Sequence, residues 1–391
     1  MKKIKIGLFL DSYYPAVDGV VEVVHNLSKE FNKYCDVVLV VPDNESTKDD
    51  EKKEYPIIRV KSIKVPFSEY HYGIPDNKIY KKLLSENFDI VHIHSPFVIG
   101  KLGIKVARKL NIPVIATLHT RFDFEIKKVT HNNFIVNTII KNITKTFEKC
   151  DRVIAVNHSM IQVLKNYGYQ GPSPIVVHNG TDLKIVHNKE EAKKIVNKKF
   201  HLSNQDILFL FVGRIIDIKN IFFILESLKL LKEQGYDFKM LYVGTGPDEQ
   251  KLKNKISEYK LDDDVYMTGR IMDRTLLKQI YYRADLFLFP SKFDASSLVQ
   301  IEAASQMTPG LFIENSVTAD TITNNVNGFT APDDIQKYTA RIIEIISNKE
   351  KLSEVSKKAY TDLAKPWSEV AKETYEVYLN EIEQYQLSGK K

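Results

Sequence analysis

Two doubly wound α/β domains, each organised around its own parallel sheet, are the architecture the sequence predicts. Three observations carry that expectation. The chain has 391 residues, more than one ordinary hydrophobic core holds. Short β-branched apolar runs alternate with longer stretches of helical periodicity, the pattern of βα repeats. The alternation restarts after a lysine-rich helical stretch near residues 190–200, as it would at the start of a second domain.

In chain order, IKIGLFL (4–10), DVVLVVP (36–42), FDIVHIH (88–94), PVIAT (113–117), DRVIAV (151–156) and PIVVHNG (174–180) read as strands of a first sheet. ILFLFVG (207–213), KMLYVGTG (239–246), DVYMTG (264–269), DLFLFP (285–290) and PGLFIEN (309–315) read as the second. Their near-continuous apolar character suits parallel strands covered on both faces. The charged segment 45–55 reads as a solvated loop. Pro366 marks the start of a closing helix, in which Trp367, Val370, Tyr375, Tyr378 and Ile382 recur at roughly helical spacing.

Composition narrows the function. The chain is 43% hydrophobic and 27% charged, the balance of a globular protein. Fifty-six Lys and Arg against 50 Asp and Glu leave a net charge of +6, which suits a small anionic ligand or an anionic surface. No basic tract or recognition module points to nucleic acid. Cys35 and Cys150 lie far apart without metal-ligand spacing, so a reduced, cytosolic setting is expected. The first apolar run ends at Asp11, too short for a signal-peptide core or a membrane span.

In folds of this class ligands bind at the carboxyl ends of strands, so residues just past each strand matter most. After DLFLF, PSKFDASSLVQIEAASQ (290–306) carries Asp294 and Glu302 on either side of a strand-to-helix turn. Ser296 or Ser297 is expected to cap a helix through Gln300 to Gln306, and the amides of Ser297, Leu298 and Val299 form a candidate anion site. The two acids would then hold hydroxyls on either side. A capped helix with two solvated acids fits the same spacing. After ILFLFVG come Arg214 and Lys219, two cations suited to a diphosphate or to a solvated basic turn.

Gly19, in DSYYPAVDGVVEVV, allows a helix start to approach a phosphate closely. The glycines of LYVGTGPD read as an ordinary tight turn. His119 lies just past PVIAT, while His92 and His94 share one strand face and read as packing and hydrogen-bonding groups rather than metal ligands. Asp262 and Asp264 precede a strand and read as a solvated turn rather than a metal–diphosphate site.

Together these pieces resemble the family 4 glycosyltransferases of the GT-B fold over nearly the whole chain. Asp294 and Glu302 match the family's E-x7-E motif, with Asp in the first position. Arg214 and Lys219 match its diphosphate clamp, Gly19 its N-terminal glycine loop, and His119 the histidine facing the transferred sugar. HNGTD (178–182), NGFTAPDD and the PWSEVA helix resemble its interdomain stretch, late turn and closing helix. The resemblance implies two Rossmann-like domains facing across a cleft. Residues 1–185 would form the acceptor side, residues 186–365 would bind the nucleotide sugar, and helix 366–391 would cross back.

It further implies a retaining, metal-independent transferase using a UDP- or GDP-sugar, with no other cofactor. Glu302 would bind the ribose, Arg270 would lie near the base, and Asp294 with the amides of 297–299 would hold sugar and phosphate. The acceptor would be a polysaccharide, a protein glycan or a lipid-linked molecule, diacylglycerol included, with weak contact at the inner face of the cell membrane. Asp294 is one methylene shorter than the family's Glu, and Ser296, Ser297 and Met307 replace its glycines, which bears on donor choice. A non-catalytic sugar-nucleotide-binding partner subunit is the competing reading. For membrane contact, Val136, Ile139, Ile140, Ile143 and Phe147 form one helical stripe opposite Lys141, Lys145 and Lys149. That pattern favours a core-packed helix, leaving the EIKKVTHNNF loop as the better surface candidate.

Overall fold

The computed structural model describes residues 3–16, 18–44, 50, 53–66, 70–127 and 129–389. The chain divides into two compact units, one of residues 1–179 with 367–391 and the other of residues 180–366.

The first unit is built on a seven-stranded sheet. Its strands are β1 (Lys5–Phe9), β2 (Asp36–Pro42), β3 (Ile57–Val60), then, after the short hairpin β4 (Ser62–Lys64) and β5 (His71–Gly73), β6 (Ile90–Ile93), β7 (Val114–Leu118), β8 (Arg152–Ala155) and β9 (Ile175–Val176). The order is β3-β2-β1-β6-β7-β8-β9, every pair parallel. Strands β6 and β7 are buried at every position, the state their unbroken apolar runs predict.

Three strands lie where the sequence showed none. β3 is an edge strand whose burial alternates and whose centre is Arg59. β4 and β5 span three residues each and are mostly uncovered. Within the charged segment 45–55, residues 45–49, 51 and 52 lie outside the described residues. The rest is not simply solvated. Asp50 takes a two-pronged contact from Arg59 at 2.7 and 2.8 Å. Tyr55 is buried between the Tyr13 hydroxyl at 2.8 Å and the His25 ring at 2.6 Å.

The closing helix, Trp367–Leu387, belongs to this first unit. Tyr378 packs its ring on Phe31 of helix Gly19–Phe31, and its hydroxyl meets His92 Nδ1 at 2.6 Å. Arg152 reaches Glu381 on the same helix at 2.6 Å. The helix Asn133–Phe147 buries Val136, Ile140, Ile143 and Phe147 and leaves Lys141, Lys145 and Lys149 in solvent, the core-packed arrangement.

The second unit holds a six-stranded parallel sheet ordered β12-β11-β10-β13-β14-β15. Its strands are β10 (Leu208–Val212), β11 (Lys239–Val243), β12 (Val265–Gly269), β13 (Leu286–Leu288), β14 (Gly310–Ile313) and β15 (Phe329–Ala331). All five residues of β10 are buried. The stretch NGFTAPDD, read as a turn, contributes the edge strand β15. Asp264 is buried at the amino end of β12, where Lys232 and Lys239 approach it at 3.0 and 2.9 Å. It is a structural ion-pair centre rather than a solvated turn. The chain enters and leaves this unit side by side, the Thr181 amide donating to the Lys365 carbonyl at 2.8 Å.

Tyr378→Phe leaves buried His92 Nδ1 without its partner. The expected cost is about 1–3 kcal/mol in urea unfolding of the full chain; unchanged stability would contradict the closing helix being anchored through this bond.

Candidate functional site

In the second unit the strand order reverses between β10 and β13, so the loops that follow these two strands adjoin at the carboxyl edge of the sheet. Such a switch point is where open α/β sheets form ligand crevices. The loop after β10 is held by its neighbour's backbone: the Gly213 amide donates to the Val243 carbonyl and the Ile215 amide to the Thr245 carbonyl, both at 3.0 Å. This explains the glycines of VGTG, which serve close backbone approach rather than an ordinary turn. Gly244 has φ +140°, and a Cβ there would sit 1.9 Å from the Gly213 carbonyl oxygen. A Cβ at Gly246 would sit 2.2 Å from the Ile215 carbonyl oxygen.

This fixed loop carries Arg214, which is exposed and, among the described residues, without an ion-pair partner. It then makes the tight turn Asp217–Lys219. Lys219 contacts the Asp294 carboxylate from the loop after β13, and the Ser291 hydroxyl donates to the other carboxylate oxygen. The Asn220 amide group bonds the Pro290 carbonyl at 2.8 Å, joining the two loops directly. Asp294 is thus already engaged with the cation beside it. Each of its oxygens keeps further acceptor capacity.

The helix after Asp294 spans Leu298–Ser305. Ser297 occupies its N-cap position, but its hydroxyl makes no capping bond, contrary to the serine cap read from the sequence. The amides of Ser297, Leu298 and Val299 have no acceptor among the described residues. Three N–H groups at a positive helix end are therefore available to an anion.

Glu302, one turn in, is buried. Arg274 and the Tyr281 hydroxyl each donate to one of its oxygens at 2.9 Å. Burial pushes the Glu302 carboxyl above the usual carboxylate range, while Arg274 and Tyr281 pull it back. Arg274 also contacts Asp182. Neither Arg274 nor Tyr281 stood out in the sequence. One signal existed: Arg274 opens the helix Arg274–Arg283, where a cation opposes the helix dipole and calls for a reason elsewhere. Arg270 follows β12 and is exposed. β11 lies between that strand and β10, and no hydrogen bond or ion pair joins Arg270 to Arg214, Lys219, Asp294 or Glu302 among the described residues.

The first unit reverses between β1 and β6. Asp11, just past β1, accepts from the Ser95 hydroxyl at 2.6 Å and from the Ile99 and Gly100 amides at 2.7 and 3.2 Å. It thereby ties β1 to the start of helix Val98–Leu110. Gly19 opens the next helix, but Asp18 answers that helix start, accepting from the Val20 and Val21 amides at 2.9 Å. What Gly19 contributes is open space, since a Cβ there would meet nothing within 4 Å.

His119, just past β7, lies edge to edge with His94, ring centroids 5.3 Å apart, and its Nε2 lies 3.0 Å from His94 Nδ1. His94 in turn lies against His92, centroids 4.0 Å apart. His92 bonds Thr117 at 2.7 Å as well as Tyr378, so it is a packed, hydrogen-bonded core residue. Burial lowers His92 and His119 to about 3 and puts His94 well below its ordinary range. All three rings are neutral. Among the described residues no group of three or more His, Cys, Asp or Glu is placed to hold a metal ion. No helix of the described residues is long and apolar enough to cross a membrane.

Two family models match in succession: Glycosyltransferase Family 4 over residues 17–185 and Glycosyl transferases group 1 over residues 192–362. The chain belongs to the family 4 glycosyltransferases. This family 4 chain is 26% identical over 386 residues to an alpha-monoglucosyldiacylglycerol synthase of Acholeplasma laidlawii, covering 95% of this chain and 94% of the relative. It is 27% identical to a protein of the same description from Streptococcus pneumoniae, covering 83% of this chain and 74% of that one. Among solved structures, Anabaena HepE in complex with UDP superposes with a TM-score of 0.78 at 15% identity, covering 97% of this chain and all of that one. The paired parallel sheets of this glycosyltransferase are thus those of the GT-B fold.

Two outcomes follow for the glycosyltransferase. Gly244→Ala forces a Cβ into a carbonyl and should cost about 1–3 kcal/mol or more in denaturant unfolding. Wild-type stability would show that the two loops are not in backbone contact. The second concerns pH. The histidines take up protons near 6.5 when unfolded but only near 3 when His92 and His119 are folded. Their contribution to stability is complete above about 6.5 and is lost as pH falls from there towards about 3. Imidazole NMR should find both rings uncharged at about pH 5; protonation of either ring there would contradict neutral burial.

Proposed function

We propose that this chain transfers a sugar, with retention of configuration, from a UDP- or GDP-linked donor to an acceptor at a membrane surface, a diacylglycerol first among them. The observation that carries the donor half is the switch point of the second unit. There an unpartnered cation, a second cation and three free amides adjoin a buried carboxylate.

The chemistry follows from charge. As the sugar–phosphate bond breaks, the leaving nucleotide keeps the bonding electrons and its diphosphate becomes more negative. Arg214, Lys219 and the amides of 297–299 then stabilise the transition state more than the bound donor. Two cations so placed supply the charge that a divalent metal would otherwise bring. Glu302, held by Arg274 and Tyr281, offers its remaining acceptor capacity to the ribose hydroxyls. Asp294 exchanges or shares Lys219 and Ser291 to meet the sugar. By the family resemblance, His119 would meet the transferred sugar.

The acceptor half rests on the two lipid-synthase relatives and on the β4–β5 hairpin. Ile63 pairs with Tyr72 and Val65 with Tyr70 across the hairpin, and the Ile74 amide bonds Lys61. Alternation puts Ile63, Val65, Tyr70, Tyr72 and Ile74 on one face, and all five are exposed, by 36–56%. Gly73 on the other face packs against Val98 and Ile99. Lys61 lies at the edge of that face, and Lys64, on the opposite face, is exposed beside it. An aromatic and β-branched surface rimmed by lysine suits an anionic lipid interface, which would hold the chain at the inner face of the cell membrane. The loop preferred from the sequence adds Val129 and Phe134, 87% and 80% exposed. Lys128 within it lies outside the described residues.

Arg214→Ala or Lys219→Ala should lower turnover roughly 100- to 1000-fold at saturating acceptor, with a smaller loss of nucleotide affinity by calorimetry. Glu302→Ala should mainly weaken nucleotide binding and Asp294→Ala should mainly lower turnover, each by about 1.5–3 kcal/mol. Normal turnover in both cation variants, or strict dependence on a divalent metal, would refute the clamp. Tight nucleotide binding with no release in the presence of any acceptor would favour the non-catalytic partner subunit. Vesicles containing anionic lipid should bind the chain in a salt-sensitive way. Replacing Ile63 and Tyr72 with Ser should weaken that binding about tenfold or more, given roughly 1.5–3 kcal/mol per buried apolar side chain. Equal binding by the double variant would move the membrane contact elsewhere.

A further inference from the structure

His94 is buried, 3% exposed, and its Nε2 is one of the few buried side-chain atoms with no hydrogen-bond partner among the described residues. Its other nitrogen lies 3.0 Å from His119 Nε2. Both rings are neutral, so each carries a single N–H, and only two arrangements satisfy the short contact. In one, His119 Nε2–H donates to His94 Nδ1. The lone proton of His94 then sits on Nε2, an N–H buried with no acceptor. In the other, His94 Nδ1–H donates to His119 Nε2, and the orphan is a bare lone pair. Orphaned buried N–H groups are the rarer and costlier case.

We infer that His94 is a positioning residue: it donates from Nδ1 to His119, fixes the Nδ1–H tautomer of His119, and so makes His119 a hydrogen-bond donor to its ligand. The choice propagates through one bond. With Nε2 of His119 occupied as an acceptor, its proton must be on Nδ1, which has no partner among the described residues. The ligand atom that His119 meets is then an acceptor, such as a hydroxyl, carbonyl or phosphate oxygen. His92 is under no comparable constraint, because Tyr378 and Thr117 can each donate or accept. The His94 and His119 rings lie edge to edge with 23° between their planes, which keeps the donor aligned.

The inference rests on the proposed role of His119 only for its catalytic consequence; the tautomer can be read without any substrate. The experiment is long-range proton–nitrogen NMR on the full chain labelled with nitrogen-15 histidine, with His119 assigned by its own substitution. In wild type, His119 should show a protonated Nδ1 and a bare Nε2. His94→Asn places an amide N–H close to the Nδ1 position and should keep that pattern. His94→Gln reaches towards the Nε2 position instead and should release it. A protonated Nε2 on wild-type His119 overturns the proposal even if both variants fail to fold. So does a Nδ1–H tautomer that persists unchanged in His94→Gln. Sugar-transfer assays supply the second reading. The Gln variant should lose about 2- to 10-fold in turnover, the worth of one neutral hydrogen bond, with donor affinity near wild type and recovery in the Asn variant. Equal losses in both variants would reduce His94 to a packing role. Inactivity of wild type with every donor would fault the assigned reaction and leave the tautomer result standing.

Discussion

The reversal of strand order between β10 and β13 is the constraint on which the charged cluster of the second unit depends. A parallel strand must deliver its chain to the carboxyl edge, and two neighbouring strands whose connections run in opposite directions deliver theirs side by side. Arg214 and Lys219 come from one such loop, Asp294 and the amides of 297–299 from the other. The burial of β10 on both faces makes this edge rigid. The backbone bonds from Gly213 and Ile215 to the loop after β11 extend that rigidity to the residues carrying charge. Without Gly244 and Gly246 the approach would be blocked.

Charge at this edge is distributed unevenly, and the unevenness has a physical sense. Glu302 is buried, and an isolated carboxylate there would be costly, so Arg274 and Tyr281 are obligatory companions. Lys219 and Asp294 satisfy one another in the more open part of the loop. Arg214, beside them, is exposed and has no ion-pair partner among the described residues. An anion arriving here meets one free cation and three free amides at once. It must compete for Lys219 with an acid already in place.

Most of the fold was legible because long apolar runs have only one comfortable home, a sheet covered on both faces. The runs around β1, β2, β6 to β8 and β10 to β14 all behave so. The strands that escaped, β3 to β5 and β15, are short edge or hairpin pieces whose pairing depends on neighbours distant in sequence. The same distinction runs through the site. Arg214, Lys219, Asp294, Glu302 and His119 each follow a legible strand, and their positions could be read. Arg274 and Tyr281 act from a helix that approaches Glu302 only in three dimensions. His94 looked like packing because nothing in a linear pattern shows that one ring nitrogen will be left without a partner. Ser297 does stand at the N-cap position read for it, but its hydroxyl makes no capping bond, which residue type alone does not reveal.

The two carboxyl edges also differ in kind. In the second unit the edge carries full charges, suited to a ligand whose own charge changes as a bond breaks. In the first unit the described groups nearest the reversal between β1 and β6 are tied up or neutral. Asp11 is consumed by Ser95 and two helix amides, Asp18 by the helix start before which it sits, and the three neighbouring histidines are neutral. A neutral edge can orient hydroxyl groups through directional hydrogen bonds without attracting an anion. It also leaves the outcome to geometry, since a neutral imidazole is donor or acceptor according to which nitrogen holds its proton. That makes the tautomer of His119, and hence the partner behind it, as consequential for the first unit as the placement of Arg214 is for the second.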